Sequence, residues 1–299
     1  MILRIGHQSG AKSIQQAVAV KLAEGVKQRT QDRVRIDVFP EGQLGNESAM
    51  LQAALVGTQE LVLLTSPMAT LAPKFSVNDL PFVFSSTADA YKAWDGKMGR
   101  TIAAEIESKG MKYFGTVSTG FRSTLNTKRA INTVADVTGL KMRTAETPVI
   151  VDMFKALGAQ PIVMAFSEVE SAVRQGLVDG LEVSPDAILT LKSYEYNKFL
   201  SLTEHVFNTT NVLMSQQVFT GLPKDVQVAI TASAANAVKE GRVVAEELDK
   251  KATADLEKLI QLNRVPDKKP FKDKMASLYS QWEPKLGADL IQAAIKLEP

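Results

Sequence analysis

Residues 34–65, VRIDVFPEGQLGNESAMLQAALVGTQELVLLT, decide the fold class of this chain of 299 residues. Apolar and charged side chains alternate from Val34 to Val38, which is typical of a half-buried strand. An apolar pattern with the helical period follows from Met50 to Leu55 and ends at Gly57. The compact apolar run from Leu61 to Thr65 then predicts a second strand.

The residues before this stretch continue the alternation of strands and helices. Ile2 to Gly6 predicts a short strand. Apolar residues recur every four positions in the segment after it, which predicts a helix with one apolar face. These positions are Ile14, Val18, Leu22 and Val26. The resulting order β-α-β-α-β favours an α/β domain with a largely parallel sheet.

A similar pattern continues after residue 65, without an obvious sequence repeat. It predicts helices at residues 87–108 and 148–157. Ser167 and Glu170 match a capping box at the start of a further helix, which is expected to end near Gly176. Strands are predicted at residues 111–118, 139–144, 161–165, 181–184, 198–202 and 211–215.

A helical pattern without internal proline then runs from Pro223 to Asn263. About 40 residues of helix would extend some ~60 Å, which is longer than a small domain. We therefore expect this helix to brace two lobes, with a break or bend at Gly241. Two short helices are predicted in the tail. Because no low-complexity linker is present, crossing strands or helices are expected to join the lobes.

The composition excludes several classes of protein. The chain has 35 Lys and Arg against 33 Asp and Glu, and a net charge of +2 argues against a nucleic-acid binder. The absence of cysteine excludes disulfides and thiolate catalysis. The two histidines, His7 and His205, lie far apart and leave little for a zinc site or a Ser-His-Asp triad. Both are interpreted either as structural or as supporting the residues that contact a ligand.

The sequence carries no common catalytic signature and no apolar run of the roughly 18 residues that a membrane span needs. The segment Gly115 to Gly120 is one residue off the nucleophile-elbow spacing, and no histidine follows it in a suitable place. The N-terminus lacks the features of a signal peptide, which leaves a cytoplasmic protein and an exported protein with a removed leader as alternatives. No catalytic residue, metal or cofactor is predicted.

Several segments, in order along the chain, resemble the solute-binding proteins of tripartite ATP-independent periplasmic (TRAP) transporters. The most specific pair is Met164-Ala165-Phe166-Ser167-Glu168-Val169 and Gln175-Gly176-Leu177-Val178-Asp179-Gly180-Leu181-Glu182. Each segment alone is a weak signal, but the ordered set is specific and covers most of the chain. The other matching segments are Phe39–Gly45, Asp79–Phe84, Gly139–Arg143, Ala156–Ala159 and Ser201–His205.

The resemblance implies a two-lobed α/β fold of the periplasmic-binding-protein type, with a mixed sheet in each lobe and a long helix bracing both. Residues 1–120 plus 209–248 are expected to form lobe I, and residues 121–208 plus 249–299 lobe II. The resemblance further implies export to the periplasm, a removed signal peptide, and closure of the lobes on a small organic acid. It implies delivery to a membrane permease, with no chemistry on the ligand, no cofactor and no nucleic acid.

Three residues of the second lobe's matching segments are expected to bind the ligand. Arg143 lies where the family places its carboxylate-binding arginine, and a guanidinium offers two parallel donors that match a carboxylate. Arg122 matches a second arginine that supports the ligand from the other side of the cleft. Phe166 resembles the ring that packs on the ligand in the family.

Polar residues of the first lobe occupy positions that line the cleft in relatives. Gln8 follows the first strand, Glu47 opens a helix, and Thr65 and Ser66 end the third strand. Strand ends and helix starts face the crevice in α/β folds. These side chains are candidates for reading hydroxyls or a second carboxylate, although an acid at a helix start such as Glu47 also stabilises the helix dipole.

One position departs from the family pattern. Many relatives carry a ligand-binding Asn after Asp-Gly-x-Glu, but this chain has Val183 there, which cannot form that hydrogen bond. Ser184, Asp186 or Asn211 is expected to replace it, unless the ligand lacks the matching group. Sugar acids such as uronates or aldonates and C4-type dicarboxylates are the expected ligands. An enzyme acting on a carboxylated substrate and a cytoplasmic ligand-sensing domain remain alternatives.

Overall fold

The computed structural model describes residues 1–299 and contains nine strands. In chain order they are β1 (Ile2–Gly6), β2 (Arg35–Phe39), β3 (Leu61–Leu64), β4 (Met111–Asn126), β5 (Lys141–Thr144), β6 (Gln160–Val163), β7 (Gly180–Val183), β8 (Phe199–Ser215) and β9 (Gln261–Arg264). They join into one sheet with the order β2-β1-β3-β8-β4-β7-β5-β6, and β9 pairs with β8.

Thirteen helices surround this sheet. They are α1 (Ile14–Arg29), α2 (Glu47–Leu55), α3 (Met68–Leu71), α4 (Thr87–Asp95), α5 (Lys97–Ser108), α6 (Pro148–Ala156), α7 (Val169–Arg174), α8 (Pro185–Thr190), α9 (Gln216–Gly221), α10 (Lys224–Leu256), α11 (Lys269–Lys274), α12 (Ala276–Leu286) and α13 (Ala288–Ile295). None of these helices combines the length and the apolar character that crossing a membrane requires.

The sheet has two parallel parts joined by two long antiparallel strands. Strand β1 pairs in parallel with β2 and β3, and β5 pairs in parallel with β6 and β7. We call the β1–β3 side the first lobe and the β5–β7 side the second lobe. Strands β4 and β8 pair with each other and run through both lobes. The expected α/β fold class is confirmed, with crossing strands in place of a flexible linker.

The pairing of β4 with β8 is irregular where the strands pass between the lobes. The register shifts between Ser118 and Phe121 and again between Arg122 and Thr124. Gly120 lies in this irregular segment with φ +90°, a conformation that favours glycine. Such bulges bend a strand and increase its twist. The irregular segment is therefore the natural place for a bend between the lobes.

Both crossing strands are longer than the sequence predicted. The predicted strand 111–118 continues to Asn126, and the two predicted strands at 198–202 and 211–215 are one strand, β8. Most of the residues between them are both polar and buried, among them Thr203, Asn208 and Thr210. A strand whose polar side chains are buried in the middle of a sheet lacks the apolar pattern by which strands are recognised.

Helix α10 contacts both lobes, as expected, but it is shorter than predicted. It packs against α1 in the first lobe and against α8 in the second. The helix ends at Leu256, because residues 261–264 form β9 and pair with residues 199–202 of β8. Gly241 does not interrupt the helix. A Cβ atom at Gly241 would lie 2.8 Å from Val18 Cγ2, so the glycine lets α1 and α10 approach closely.

Two other helix predictions are wrong at their boundaries. The segment 87–108 forms α4 and α5, which are separated at Gly96. The amide of Lys97 donates to the Glu298 carbonyl oxygen at 3.1 Å, which interrupts the helical hydrogen bonds at this point. The predicted capping box at Ser167 and Glu170 does not form. Instead, the Glu168 carboxylate accepts a hydrogen bond from Ala165 N, and Glu170 pairs with Arg174.

The C-terminal tail contains three helices rather than two, and it contacts both lobes. Helix α13 packs against α4 and α5, and Lys97 forms an ion pair with Glu298. Helix α12 contacts α6 of the second lobe, where Trp282 Nε1 donates a hydrogen bond to Asp152 at 3.1 Å. The tail therefore also connects the two lobes, in addition to α10 and the crossing strands.

The close contact between α1 and α10 predicts the effect of Gly241→Ala. Alanine normally stabilises a helix interior relative to glycine by about 1 kcal/mol. Here we expect a loss of about 1–3 kcal/mol in the free energy of unfolding, since the added methyl group overpacks the contact with Val18. Urea denaturation followed by circular dichroism measures it. Gly221→Ala, where no atom lies within 4 Å of the added Cβ, is the control, and a stabilised Gly241→Ala would contradict this packing.

Candidate functional site

A cleft of about 840 Å³, measured with its open mouth, lies between the two lobes. The structure brings nine of the ten residues predicted from the sequence to this cleft. They are Gln8, Glu47, Thr65, Ser66, Arg122, Arg143, Phe166, Val183 and Asp186.

Arg143 is the unusual residue of the cleft. It lies on β5, is only 4% exposed, and has no carboxylate within 4 Å. Its Nε and Nη2 atoms donate to the Met164 carbonyl at 3.0 and 2.7 Å, and its Nη1 atom has no hydrogen-bond partner in the protein. Burial lowers the pKa of the guanidinium to about 10. The cleft therefore contains a buried cation that lacks an anion.

Arg122 also lines the cleft, but its charge is already paired. Its Nε and Nη2 atoms donate to the two carboxylate oxygens of Glu182, and Nη1 donates to Asn208 Oδ1 at 2.8 Å. Burial acts against the charge of Arg122, but the attraction of Glu182 is stronger and raises the pKa of the guanidinium. The two arginines therefore differ in what they can offer a ligand.

Glu47 connects a helix start to a strand end. It is the first residue of α2, and its carboxylate oxygens accept hydrogen bonds from Thr65 N at 2.8 Å and Ser66 N at 2.9 Å. Burial raises the pKa of this carboxyl group. The side chain thus holds the segment after β3 in place at the wall of the cleft.

The remaining wall combines polar groups with one aromatic ring. Gln8 follows β1, and its side chain has no hydrogen-bond partner in the protein. Thr65 Oγ1 accepts a hydrogen bond from Gln15 Nε2 at 3.1 Å. Phe166 is half-buried, and the guanidinium carbon of Arg143 lies 5.4 Å from the centre of its ring. The ring therefore shields the cation from water.

The segment after β7 supplies three cleft residues. Val183 ends β7, and Ser184 and Asp186 follow it at the start of α8. The Ser184 hydroxyl is buried without a hydrogen-bond partner. Asp186 is 4% exposed, and burial raises the pKa of its carboxyl group to about 7. Of the three residues expected to compensate for Val183, these two are in position.

Asn211, the third, does not line the cleft. It is fully buried in β8, where Nδ2 donates to the Leu64 carbonyl at 3.2 Å and Oδ1 accepts from Thr116 Oγ1 at 2.7 Å. The two histidines also lie outside the cleft wall. His7 Nε2 lies 2.8 Å from Gln16 Oε1, and His205 Nδ1 lies 2.8 Å from Thr203 Oγ1. These residues support the structure around the site.

Sequence reasoning missed the partners of Arg122. Glu182 was part of the Asp-Gly-x-Glu motif, yet no local pattern connects it to an arginine 60 residues earlier. Asn208 holds Arg122 Nη1 and donates to Thr119 Oγ1 at 2.6 Å. A run of polar residues inside β8 is the one signal that could have indicated a buried network there.

Comparison with known proteins settles the class to which this site belongs. The family model of bacterial extracellular solute-binding protein family 7 (DctP) matches residues 5–285. The chain belongs to this family. One relative, the 2,3-diketo-L-gulonate-binding periplasmic protein YiaO of Escherichia coli (strain K12), is 32% identical over 302 residues, which cover 99% of this chain and 92% of the relative.

Two further comparisons support the same family assignment. The C4-dicarboxylate-binding periplasmic protein DctP of Rhodobacter capsulatus is 27% identical to this chain. That alignment covers 99% of this chain and 90% of the relative. The structure of a TRAP periplasmic solute-binding protein from Polaromonas sp. JS666, bound to D-erythronate, superposes with a TM-score of 0.95 at 31% identity. That alignment covers 99% of this chain and 98% of the other.

The family membership confirms the resemblance to TRAP solute-binding proteins and the two-lobed fold. The chain is a periplasmic solute-binding protein of a transport system and not an enzyme. Of the alternatives left open by the sequence, the enzyme and the cytoplasmic sensing domain are therefore wrong.

The different pairing of the two arginines predicts opposite effects on the ligand-free protein. Arg122→Met leaves Glu182 buried without its cation, and we expect the free energy of unfolding to fall by about 3–5 kcal/mol. Arg143→Met removes a buried charge without an anion, so the stability is expected to stay unchanged or to rise. Urea denaturation of both variants without ligand measures the difference.

The double variant Arg122→Met with Glu182→Leu is the control. Replacing both members of a buried ion pair by apolar residues is often neutral, so most of the loss in Arg122→Met should be recovered. Equal losses of stability in Arg122→Met and Arg143→Met would contradict the difference in pairing.

Proposed function

We propose that this chain captures a small organic acid in the cleft between its lobes and delivers it to the permease of a TRAP transporter. The observation that carries the proposal is the buried, unpaired guanidinium of Arg143. A buried charge is costly unless it is paired, and a planar guanidinium matches a carboxylate through two parallel hydrogen bonds. Relatives that bind 2,3-diketo-L-gulonate, C4-dicarboxylates and D-erythronate support this ligand class.

The other cleft residues take complementary roles in this proposal. Phe166 covers the ion pair between Arg143 and the ligand, and Arg122 contributes a fixed polar wall through its pair with Glu182. Gln8, Thr65 and Ser66 face the ligand from the first lobe, with Glu47 holding the last two in place. Val183 contributes apolar surface, and Asp186 supplies a polar group from the second lobe.

We also propose which residues form each lobe and where the lobes bend. We place residues 1–120 with 209–248 in the first lobe and residues 121–208 with 249–299 in the second, with α12 and α13 of the tail contacting both lobes. Bending at the irregular segment of β4 and β8 would open and close the cleft. Closure buries the ligand and creates the surface that the permease recognises.

Substitution of Arg143 tests the ligand site. A thermal-shift screen with uronates, aldonates, dicarboxylates and aromatic acids should give at least one stabilising carboxylic acid, because a ligand that binds the folded state raises Tm. We expect Arg143→Ala to abolish the shift and Arg143→Lys to weaken it strongly, since lysine is a point charge without the planar fork. Arg29→Ala, at an exposed arginine, is the control. An unchanged shift in Arg143→Ala would refute the assignment.

A substitution at a contact between the lobes tests the proposed closure separately from the pairing of Arg143 with the ligand. A Cβ atom at Gly10 of the first lobe would lie 2.8 Å from the backbone oxygen of Thr190 in the second lobe. Gly10→Val should therefore hold the lobes apart and weaken binding of the stabilising acid by about tenfold or more, while the Tm without ligand stays unchanged. Isothermal titration calorimetry measures the affinity, with Gly221→Val as the control. Full affinity in Gly10→Val would show that closure does not need this contact.

A further inference from the structure

The cleft wall contains more acidic than basic side chains. Two cations and three carboxyl groups line it, namely Arg122, Arg143, Glu47, Glu146 and Asp186. Glu182 lies behind the residues that line the cleft and already neutralises the charge of Arg122. Arg143 is therefore the one cation of the cleft wall that can pair with a ligand. A ligand with one carboxylate pairs with it completely.

None of the three wall carboxyl groups has a basic side chain within 4 Å. Glu47 accepts hydrogen bonds from two backbone amides, and Glu146 accepts one from Ser48 Oγ at 3.2 Å across the cleft. Asp186 is 4% exposed, and its carboxyl group faces the backbone amide of Ile14. A second carboxylate on the ligand would lie among these groups without a cation, and like charges in a desolvated site repel each other.

A dicarboxylate could gain a second cation only by taking Arg122 from Glu182. Glu182 is fully buried, and its two oxygens accept both parallel hydrogen bonds of the guanidinium. Removing one partner of a buried ion pair leaves an uncompensated charge, which is strongly unfavourable. The Arg122–Glu182 pair is therefore not available for exchange.

We propose, building on the proposed function, that the ligand has a single carboxylate and a hydroxylated chain, and that Asp186 selects it against dicarboxylates. Asp186 accepts hydrogen bonds from ligand hydroxyls and repels a second carboxylate. The buried Ser184 hydroxyl and the unpartnered Gln8 amide supply further hydrogen bonds to such a chain. The substrate class is thus the aldonates and uronates.

Pairs of acids that differ in one terminal group test this selection. D-gluconate and D-glucarate share their hydroxylated carbon chain, and D-erythronate and tartrate form the corresponding four-carbon pair, with succinate as a dicarboxylate without hydroxyls. Calorimetric titration at pH 8.5 keeps Asp186 ionised, because burial raises its pKa to about 7. We expect at least one monocarboxylate to bind about 100-fold more tightly than its dicarboxylate partner.

The variant Asp186→Asn tests whether Asp186 causes the preference for monocarboxylates over dicarboxylates. It retains the size and polarity of the side chain but removes the charge, so the preference for the monocarboxylate should fall about tenfold, with a gain in affinity for the dicarboxylate. Asp289→Asn is a matched control, since Asp289 is exposed and also occupies the second position of its helix. An unchanged preference in a folded Asp186→Asn variant would overturn the role of Asp186.

The remaining outcomes separate this inference from the proposed function. Binding of a dicarboxylate as tight as that of its monocarboxylate partner, with loss of binding in Arg143→Ala, would overturn the inference and leave the proposed function intact. The inference would also be overturned, and the proposed function left intact, if succinate or an aromatic acid were the only acid that binds. Two results would overturn both the inference and the proposed function. One is that no carboxylic acid of the thermal-shift screen binds, and the other is that Arg143→Ala leaves the binding unaffected.

Discussion

A buried cation without an anion is the constraint on which the site depends. The fold holds Arg143 on β5, between β6 and β7, against one carbonyl oxygen and one aromatic ring. Neither neutralises the charge, so the ligand-free protein keeps an unfavourable electrostatic energy in the cleft. In the proposed function a carboxylate of the ligand pairs with Arg143 and removes this unfavourable energy, which would contribute to the affinity for an anion.

Arg122 has the same side chain but a different environment. Its pair with Glu182, supported by Asn208, makes it part of a buried polar network at the cleft. This network lies where β4 and β8 shift register, at the place where we propose that the lobes bend. A satisfied network can move as a unit without leaving a charge unpaired.

The fold was largely predictable because its signals are local. Period-two and helical patterns along residues 1–65 indicated the α/β class, and the long pattern after Pro223 indicated the bracing helix. The misplaced capping box at Ser167 is a local error, but the two larger errors depend on distant residues. The chain breaks at Gly96 because Glu298 packs there, and β8 is continuous because its polar residues pair with β4.

The sequence by itself indicated the candidate cleft residues through their match to positions in TRAP solute-binding proteins, and those of the first lobe stand at strand ends and helix starts, which share one edge of a sheet. Nine of the ten candidates lie there. Only the tertiary structure decided which arginine is free. Arg122 and Glu182 are 60 residues apart, and whether a buried charge finds its counter-ion depends on which strands become neighbours, a property that no local pattern encodes.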